Sequence, residues 1–155
     1  LALVAALSVT FLAATAGGAA SVNATLFYAQ LTKPSWAPPG WVFGPVWLAL
    51  YTLMAFAVWL AWRAAGFPQA KVAVLLFLAQ LVVNALWSWL FFAWRFGTLA
   101  LVDVIALWVL LAATLAAFWR IQRLAAVLLV PYLAWVTFAA ALTLAVWHLN
   151  PGLLR

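Results

Sequence analysis

The charges in this chain are so widely spaced that most of it can fold only inside a membrane. They fall at Lys33, Arg63, Lys71, Arg95, Asp103, Arg120, Arg123 and Arg155, and nowhere else in 155 residues. Between them lie apolar runs of roughly 20 residues, the length that carries a helix across a hydrocarbon core. With 72% hydrophobic and 5% charged residues, the chain has too little polar surface to coat a soluble domain. The runs are continuous rather than alternating, which disfavours a transmembrane β-barrel. The expected class is an all-α integral membrane protein.

Five spans are expected, over residues 3–22, 43–63, 72–94, 98–119 and 124–148. Short connectors after the second, third and fourth force antiparallel neighbours, so residues 1–155 read as one compact bundle. The first connector, 23–42, is the one long enough to fold over that bundle. The first run has a rival reading. It is followed by Ala16-Gly-Gly-Ala-Ala-Ser21, which also fits a cleavable leader. Ala13/Gly17 and Ala14/Gly18 have instead the small-xxx-small spacing of a helix packed closely on another. Orientation is weakly encoded. One side carries Arg63, Lys71, Arg120 and Arg123, the other Lys33, Arg95 and Arg155.

Several function classes drop out. A net charge of +6 raises nucleic-acid binding, but the cations stand singly at span ends and form no phosphate-binding face. With no Cys, one His and one acidic residue, neither thiol chemistry nor a metal site is expected, and no intrinsic cofactor. No phosphate loop or catalytic triad is present.

Lys33 to Trp47 holds Pro34, Pro38, Pro39 and Pro45 together with Trp36, Trp41 and Trp47. Prolines fix φ and stiffen the chain, and Gly40 and Gly44 allow turns between them. Irregular backbone beside a membrane needs protein or water to cover it. The stretch therefore reads as a structured lid, with Lys33, Trp36, Pro39 and Trp41 as lid residues and the tryptophans docking on helix ends.

Helical spacing marks the walls beneath that lid. Gln80, Asn84, Trp87 and Phe91 share one face of the third span. Amides in hydrocarbon either join helices or face a cavity, and both readings stand. Trp47 and Tyr51 begin a stripe on the second span that continues through Met54 and Val58. Trp135, Phe138/Ala139, Leu142 and Val146 make another on the fifth. Such stripes are usually core or interfacial belt, and Trp47 near its span end fits the belt. A pocket built from them would be apolar and rich in π surface, suited to a large planar ligand. Pro131 should kink the fifth span. Asp103 reads as structural, either compensating the dipole at a helix N-terminus or pairing with Arg95. His148 reads as a polar tip at the interface.

Four blocks in order resemble the translocator protein family, also called tryptophan-rich sensory protein or TspO/MBR. They are Leu31 to Trp47 with Leu50-Tyr51; Gln80-Leu-Val-Val-Asn84 with Trp87 and Phe91-Phe92; Ala100-Leu-Val-Asp103; and Pro131-Tyr-Leu-Ala-Trp135 with Phe138-Ala139, Leu142 and Val146-Trp147. The resemblance implies five helices, a connector folded over an intramembrane pocket, and frequent homodimers. It implies binding of porphyrins, heme-related tetrapyrroles, sterols, isoquinoline carboxamides and benzodiazepines. By position, Pro38, Tyr51, Asn84, Trp87, Ala139 and Leu142 match pocket-lining residues. Trp47 and Trp135 match tryptophans implicated in light-dependent breakdown of protoporphyrin IX. Animal members carry a sterol-recognition segment with Tyr and then Arg near the end of the fifth helix. Leu144 and His148 stand there in this chain, so that segment is absent.

Three expectations follow. The leading one is a receptor or sensor for porphyrins in a bacterial cell membrane, with Asn84 or Gln80 orienting a polar group and Lys33 or a backbone amide meeting a propionate. Light-dependent porphyrin degradation at Trp47 and Trp135 is the enzymatic alternative. Transport of tetrapyrroles or lipids ranks third, because no repeat frames a midplane site.

Overall fold

The computed structural model describes residues 1–155, and they form helices without a strand. Helix α1 runs Ala2–Ala20, a short α2 Ala24–Gln30, α3 Phe43–Ser88, α4 Gly97–Ile121 and α5 Arg123–Leu149. A 3-10 turn, Gly40–Val42, leads into α3, and a π-helical turn, Trp89–Ala93, leads out of it.

At 46 residues, α3 is far too long to be one span. Gly66 breaks it, with φ 71° and ψ 167°, a left-handed-region backbone that glycine adopts without a Cβ penalty. The chain doubles back there. Tyr51 in the first limb meets Asn84 in the second, and Met54 meets Gln80. The two limbs, with α1, α4 and α5, give five spans. Residues 64–71, expected as a loop, are helix on both sides of Gly66. Arg63 and Lys71 marked a loop in sequence, but both are exposed on helix ends, where long cationic side chains reach the interface. The protein is an integral, multi-pass membrane protein.

Small residues set the helix spacing in the half of the bundle nearest Gly66. Ala57, Ala61, Ala70, Ala125 and Ala126 are fully buried. Their small side chains let backbones approach, and dispersion across such contacts holds membrane helices together. Gln80 lies in this dry core, where it accepts a 2.7 Å hydrogen bond from the Tyr132 hydroxyl. Its amide hydrogens point to the Met54 sulfur, 4.0 Å away. Gln80 is thus interhelical glue. The expected alternative, that it orients a ligand, does not fit its position.

Two further expectations need correction. Asp103 neither caps a helix nor pairs with Arg95. α4 begins at Gly97, so Asp103 lies beyond its first turn, on the buried face with Ala100, Val104 and Leu107. One of its carboxylate oxygens has no partner. Arg95 instead lies over the Phe27 ring, 4.5 Å from its centroid. Secondly, the first connector contains a helix. α2 buries Phe27 and Tyr28, and with Leu31 they join Leu90, Phe91, Ala100 and Leu154 in a second apolar cluster.

The C-terminal residues tie this end together. Arg155 donates its backbone N–H to Arg95 O at 2.9 Å, and its own carbonyl accepts from Thr98 N–H at 3.2 Å. Asn150 is buried after α5. Its carboxamide oxygen accepts from Thr32 N–H at 2.8 Å, and its NH2 donates to Thr32 O at 2.8 Å and to Val146 O at 2.7 Å. α5 continues unbroken through Pro131, whose ring is exposed on the outer face. His148 is exposed in the last turn of α5, edge-on to Trp147.

Candidate functional site

The half of the bundle away from Gly66 is hollow. A cavity of about 340 Å³ lies among α1, α2, both limbs of α3, the π turn and α5. That volume falls within the range of small-molecule sites.

The walls are aromatic, and helical register aims them inward. Phe43, Trp47 and Tyr51 step by four along the first limb, and all three line the cavity. Trp47 packs 5.7 Å from the Tyr51 ring and 6.2 Å from Tyr132, so it belongs to the bundle and not to an interfacial belt. Asn84, Trp87 and Ser88 come from the second limb. The π turn follows. Trp94 N–H bonds Trp89 O at 2.8 Å, five residues back. The wider turn lets the adjacent Phe91 and Phe92 both line the cavity. Phe91 stacks on Trp87 at 5.0 Å and 11°, and Phe92 stands edge-on to it at 88°. Trp135, Ala139 and Leu142 complete the wall from α5.

Small residues make room on the α1 side. A Cβ on Gly17 would meet Ser88 Oγ at 3.4 Å, so α1 packs closely on α3 there. A Cβ on Gly18 would meet nothing within 4 Å, because that face opens on the cavity. The Trp89 indole donates to Ala16 O at 3.1 Å and ties the same stretch of α1 to the π turn.

The polar chemistry is sparse and neutral. Asn84 donates its amide N–H to the Tyr51 hydroxyl at 3.2 Å. That leaves the Asn84 carbonyl oxygen and the Tyr51 hydroxyl proton unused within the protein, one acceptor and one donor. The Trp87 indole N–H is buried without an acceptor. No charged side chain lines the cavity. The site can therefore stack flat rings and satisfy a few neutral hydrogen bonds. It offers no general acid or base of ordinary strength.

Trp47, Tyr51, Asn84, Trp87, Trp135, Ala139 and Leu142 come together on the wall. Phe138 and Pro38 do not line it. Phe138 stands behind Trp135, with ring centroids 5.2 Å apart, and carries Trp36 edge-on at 5.8 Å. Pro38 acts through its carbonyl, which accepts from the Tyr28 hydroxyl at 2.7 Å. Burial pushes the Tyr28 phenol above its ordinary pKa, which keeps that hydroxyl a donor.

The cover differs from the expected one. Ala24, Thr25 and Tyr28 of α2, with Gly40, close the cavity, while Lys33, Trp36, Pro39 and Trp41 lie outside it. Trp41 is 75% exposed, so it docks on no helix end. Lys33 donates to Tyr28 O at 2.9 Å and Leu31 O at 3.1 Å, with its ammonium over the Tyr28 ring. It closes the C-terminal carbonyls of α2, as a cation at that end does well, and two of its three N–H bonds are used there, outside the cavity lining. The sequence reading missed Tyr28, Phe43 and Gly18 as wall residues. Phe43 was legible, one turn before the Trp47/Tyr51 stripe.

These features define a class: a five-span helical membrane protein with a covered, uncharged, aromatic cavity between its helices. The TspO/MBR family model matches residues 3–148. The chain is 44% identical to the translocator protein of Homo sapiens over 81% of this chain and 76% of that one. It is 40% identical to the tryptophan-rich protein TspO of Chlorobaculum tepidum, over 83% of this chain and 82% of the relative. The tryptophan-rich sensory protein of Cereibacter sphaeroides is 41% identical, over 94% of this chain and 92% of its own. The chain belongs to the TspO/MBR family.

Proposed function

We propose that the protein is a membrane receptor or sensor that binds porphyrins and other flat apolar molecules in the aromatic cavity, in a bacterial cell membrane. The observation that carries this reading is the cavity's composition. Trp47, Trp87, Trp135, Phe91 and Phe92 offer π faces on several sides, and the polar groups among them are few and uncharged: the Asn84 carbonyl oxygen, the Trp87 indole N–H and the hydroxyls of Tyr51, Ser88 and Thr25. Flat rings stack on such walls, and the Asn84 carbonyl oxygen accepts from a ring N–H. The names translocator protein and tryptophan-rich sensory protein, carried by relatives, support a receptor or sensor role. Carboxylates on the ligand stay at the rim, since no cation lines the wall. The test is quenching of tryptophan fluorescence by protoporphyrin IX in detergent. Saturable quenching is expected, weakened about tenfold or more by Trp135→Ala with Asn84→Ala, roughly the loss of one stacked ring and one hydrogen bond. Non-saturating quenching, or an unchanged curve in the double variant, rejects the reading.

A second reading is photo-oxidative breakdown of the bound porphyrin. The observation that favours it is that Trp47 and Trp135, from different helices, both line the cavity. Light and oxygen would drive that reaction, so it needs no ionisable side chain. Illumination should then bleach the Soret band. Bleaching at the wild-type rate in a Trp47→Phe, Trp135→Phe variant removes the tryptophans as reagents.

A further inference from the structure

At the Gly66 end of the bundle, α1 and the two limbs of α3 leave a second hollow of about 270 Å³. It is independent of the aromatic cavity. That cavity is lined from α1 by Ala14, Gly17 and Gly18, whereas this hollow is lined by Ala2, Ala5, Ala6 and Val9. Every lining residue is apolar. Ala5 and Ala6 leave room on the α1 side, and Trp59, Trp62 and Phe67 wall the other. A ligand with hydrogen-bonding groups in its body would find no partner there, and burying those groups unpaired is costly. An alkyl chain has no such groups.

The lip of this hollow is cationic. The Arg63 guanidinium lies over the Trp59 ring, 5.4 Å from its centroid, and that ring is part of the wall. Lys71 is in helical register with Phe67, Val74 and Leu78, the stripe by which the second limb lines the hollow. Both cations are exposed. Lys71 also lies near the start of its limb, where the helix dipole disfavours a cation and favours an anion. No side-chain anion answers them. The sole carboxylate, Asp103, is near the start of α4, and α4 reaches this side only at its far end, with Arg120. An apolar slot below two unanswered cations, at headgroup depth, has the polarity of one lipid type.

We propose that the hollow binds an anionic phospholipid, one acyl chain in the slot and the phosphate on Arg63 and Lys71. Native mass spectrometry of the purified full-length protein, titrated with phosphatidylglycerol or phosphatidylcholine of identical chains, tests it. Phosphatidylglycerol is expected to be retained at least tenfold better. Arg63→Gln with Lys71→Gln should erase that preference, at roughly fivefold per cation. Arg120→Gln with Arg123→Gln, on the same side of the membrane, should keep it. Ala6→Phe should lower retention of both lipids by filling the slot, and circular dichroism melting checks that each variant is folded. Equal retention of the two lipids overturns the proposal. So does a preference lost equally in the Arg120/Arg123 variant, which means diffuse surface charge, or retention untouched by Ala6→Phe. Lipid-free dimers abolished by Ala6→Phe make the occupant a second copy of the chain and overturn it as well.

Discussion

Around Ala57 and Ala61 the helices touch along their backbones; around Trp47 and Trp87 the same two limbs of α3 enclose open space. The difference lies in the side chains between them. Alanine at Ala57, Ala61, Ala70 and Ala73 lets the limbs close, and those positions are essentially inaccessible. Indole and phenyl rings cannot interdigitate so finely, so Trp47, Trp87, Phe91 and Trp135 prop the other half apart. One hairpin thus carries an alanine-packed seam between its limbs at one end and an aromatic cavity between them at the other. The lesson is that ring-rich helix faces in a membrane bundle make cavities by failing to close-pack.

The sharpest way to break this comparison is to add bulk to each half. Ala61→Leu should destabilise the protein by about 1–3 kcal/mol, because Ala61 is fully buried in the seam and lines no hollow. Thermal unfolding in detergent reads that loss. Gly18→Leu should leave the melting temperature unchanged or raised, since nothing lies within 4 Å of its added Cβ. It should still cut porphyrin affinity by filling the cavity. Equal loss of stability in both variants would erase the distinction between the halves.

Next in size is the buried polar pair. Gln80→Leu leaves the Tyr132 hydroxyl buried without an acceptor, a cost of about 1–3 kcal/mol. Adding Tyr132→Phe removes the stranded group and should recover most of that loss. A double variant as unstable as the single one would show that Gln80 matters for its shape and not for its hydrogen bond.

The cover of the aromatic cavity should respond more locally. Asn150→Ala frees both backbone groups of Thr32, and about 1–2 kcal/mol of local stability should go with them. Hydrogen exchange in residues 24–33 should quicken while the Ala57–Ala61 region stays protected. A uniform rise across the chain would mean that Asn150 holds the whole bundle.

The smallest effect is expected in the proline stretch. Pro38→Gly with Pro39→Gly loosens the unfolded and folded chain by roughly 0.4–1 kcal/mol per site. Neither residue lines the cavity, so its influence passes through the Tyr28–Pro38 hydrogen bond. A modest fall in porphyrin affinity with unchanged helix content is expected, and hydrogen exchange of residues 32–44 with and without ligand checks it. Ligand-independent exchange there, with unchanged affinity, makes the stretch a surface loop.

The spans were readable from the chain because run length and charge spacing are one-dimensional quantities. Much of the wall was readable too, since Trp47/Tyr51 and Asn84/Trp87 repeat at helical spacing. The features that escaped depend on geometry that spacing does not encode. α2 is only seven residues long and sits in a connector dominated by its prolines. The Asn150–Thr32 clamp joins residues 118 apart. The roles of Lys33 and Gln80 were decided by neighbours, Tyr28 in one case and Tyr132 in the other. Trp36 and Trp41 looked like anchors by mass alone, yet one leans on Phe138 and the other faces outward.

The π turn at Trp89–Ala93 holds one residue more than an α-helix would use for the same advance. That surplus works as a dial. Deleting Ala93 would remove that surplus and let the turn close as ordinary α-helix, with the residues on either side left close to their present facing. Every ring would survive, yet the adjacent Phe91 and Phe92 would return to the roughly 100° step of an α-helix and could no longer both face the cavity. Chain length at this one turn therefore shapes the cavity wall, and a one-residue deletion there redraws that wall without substituting a side chain.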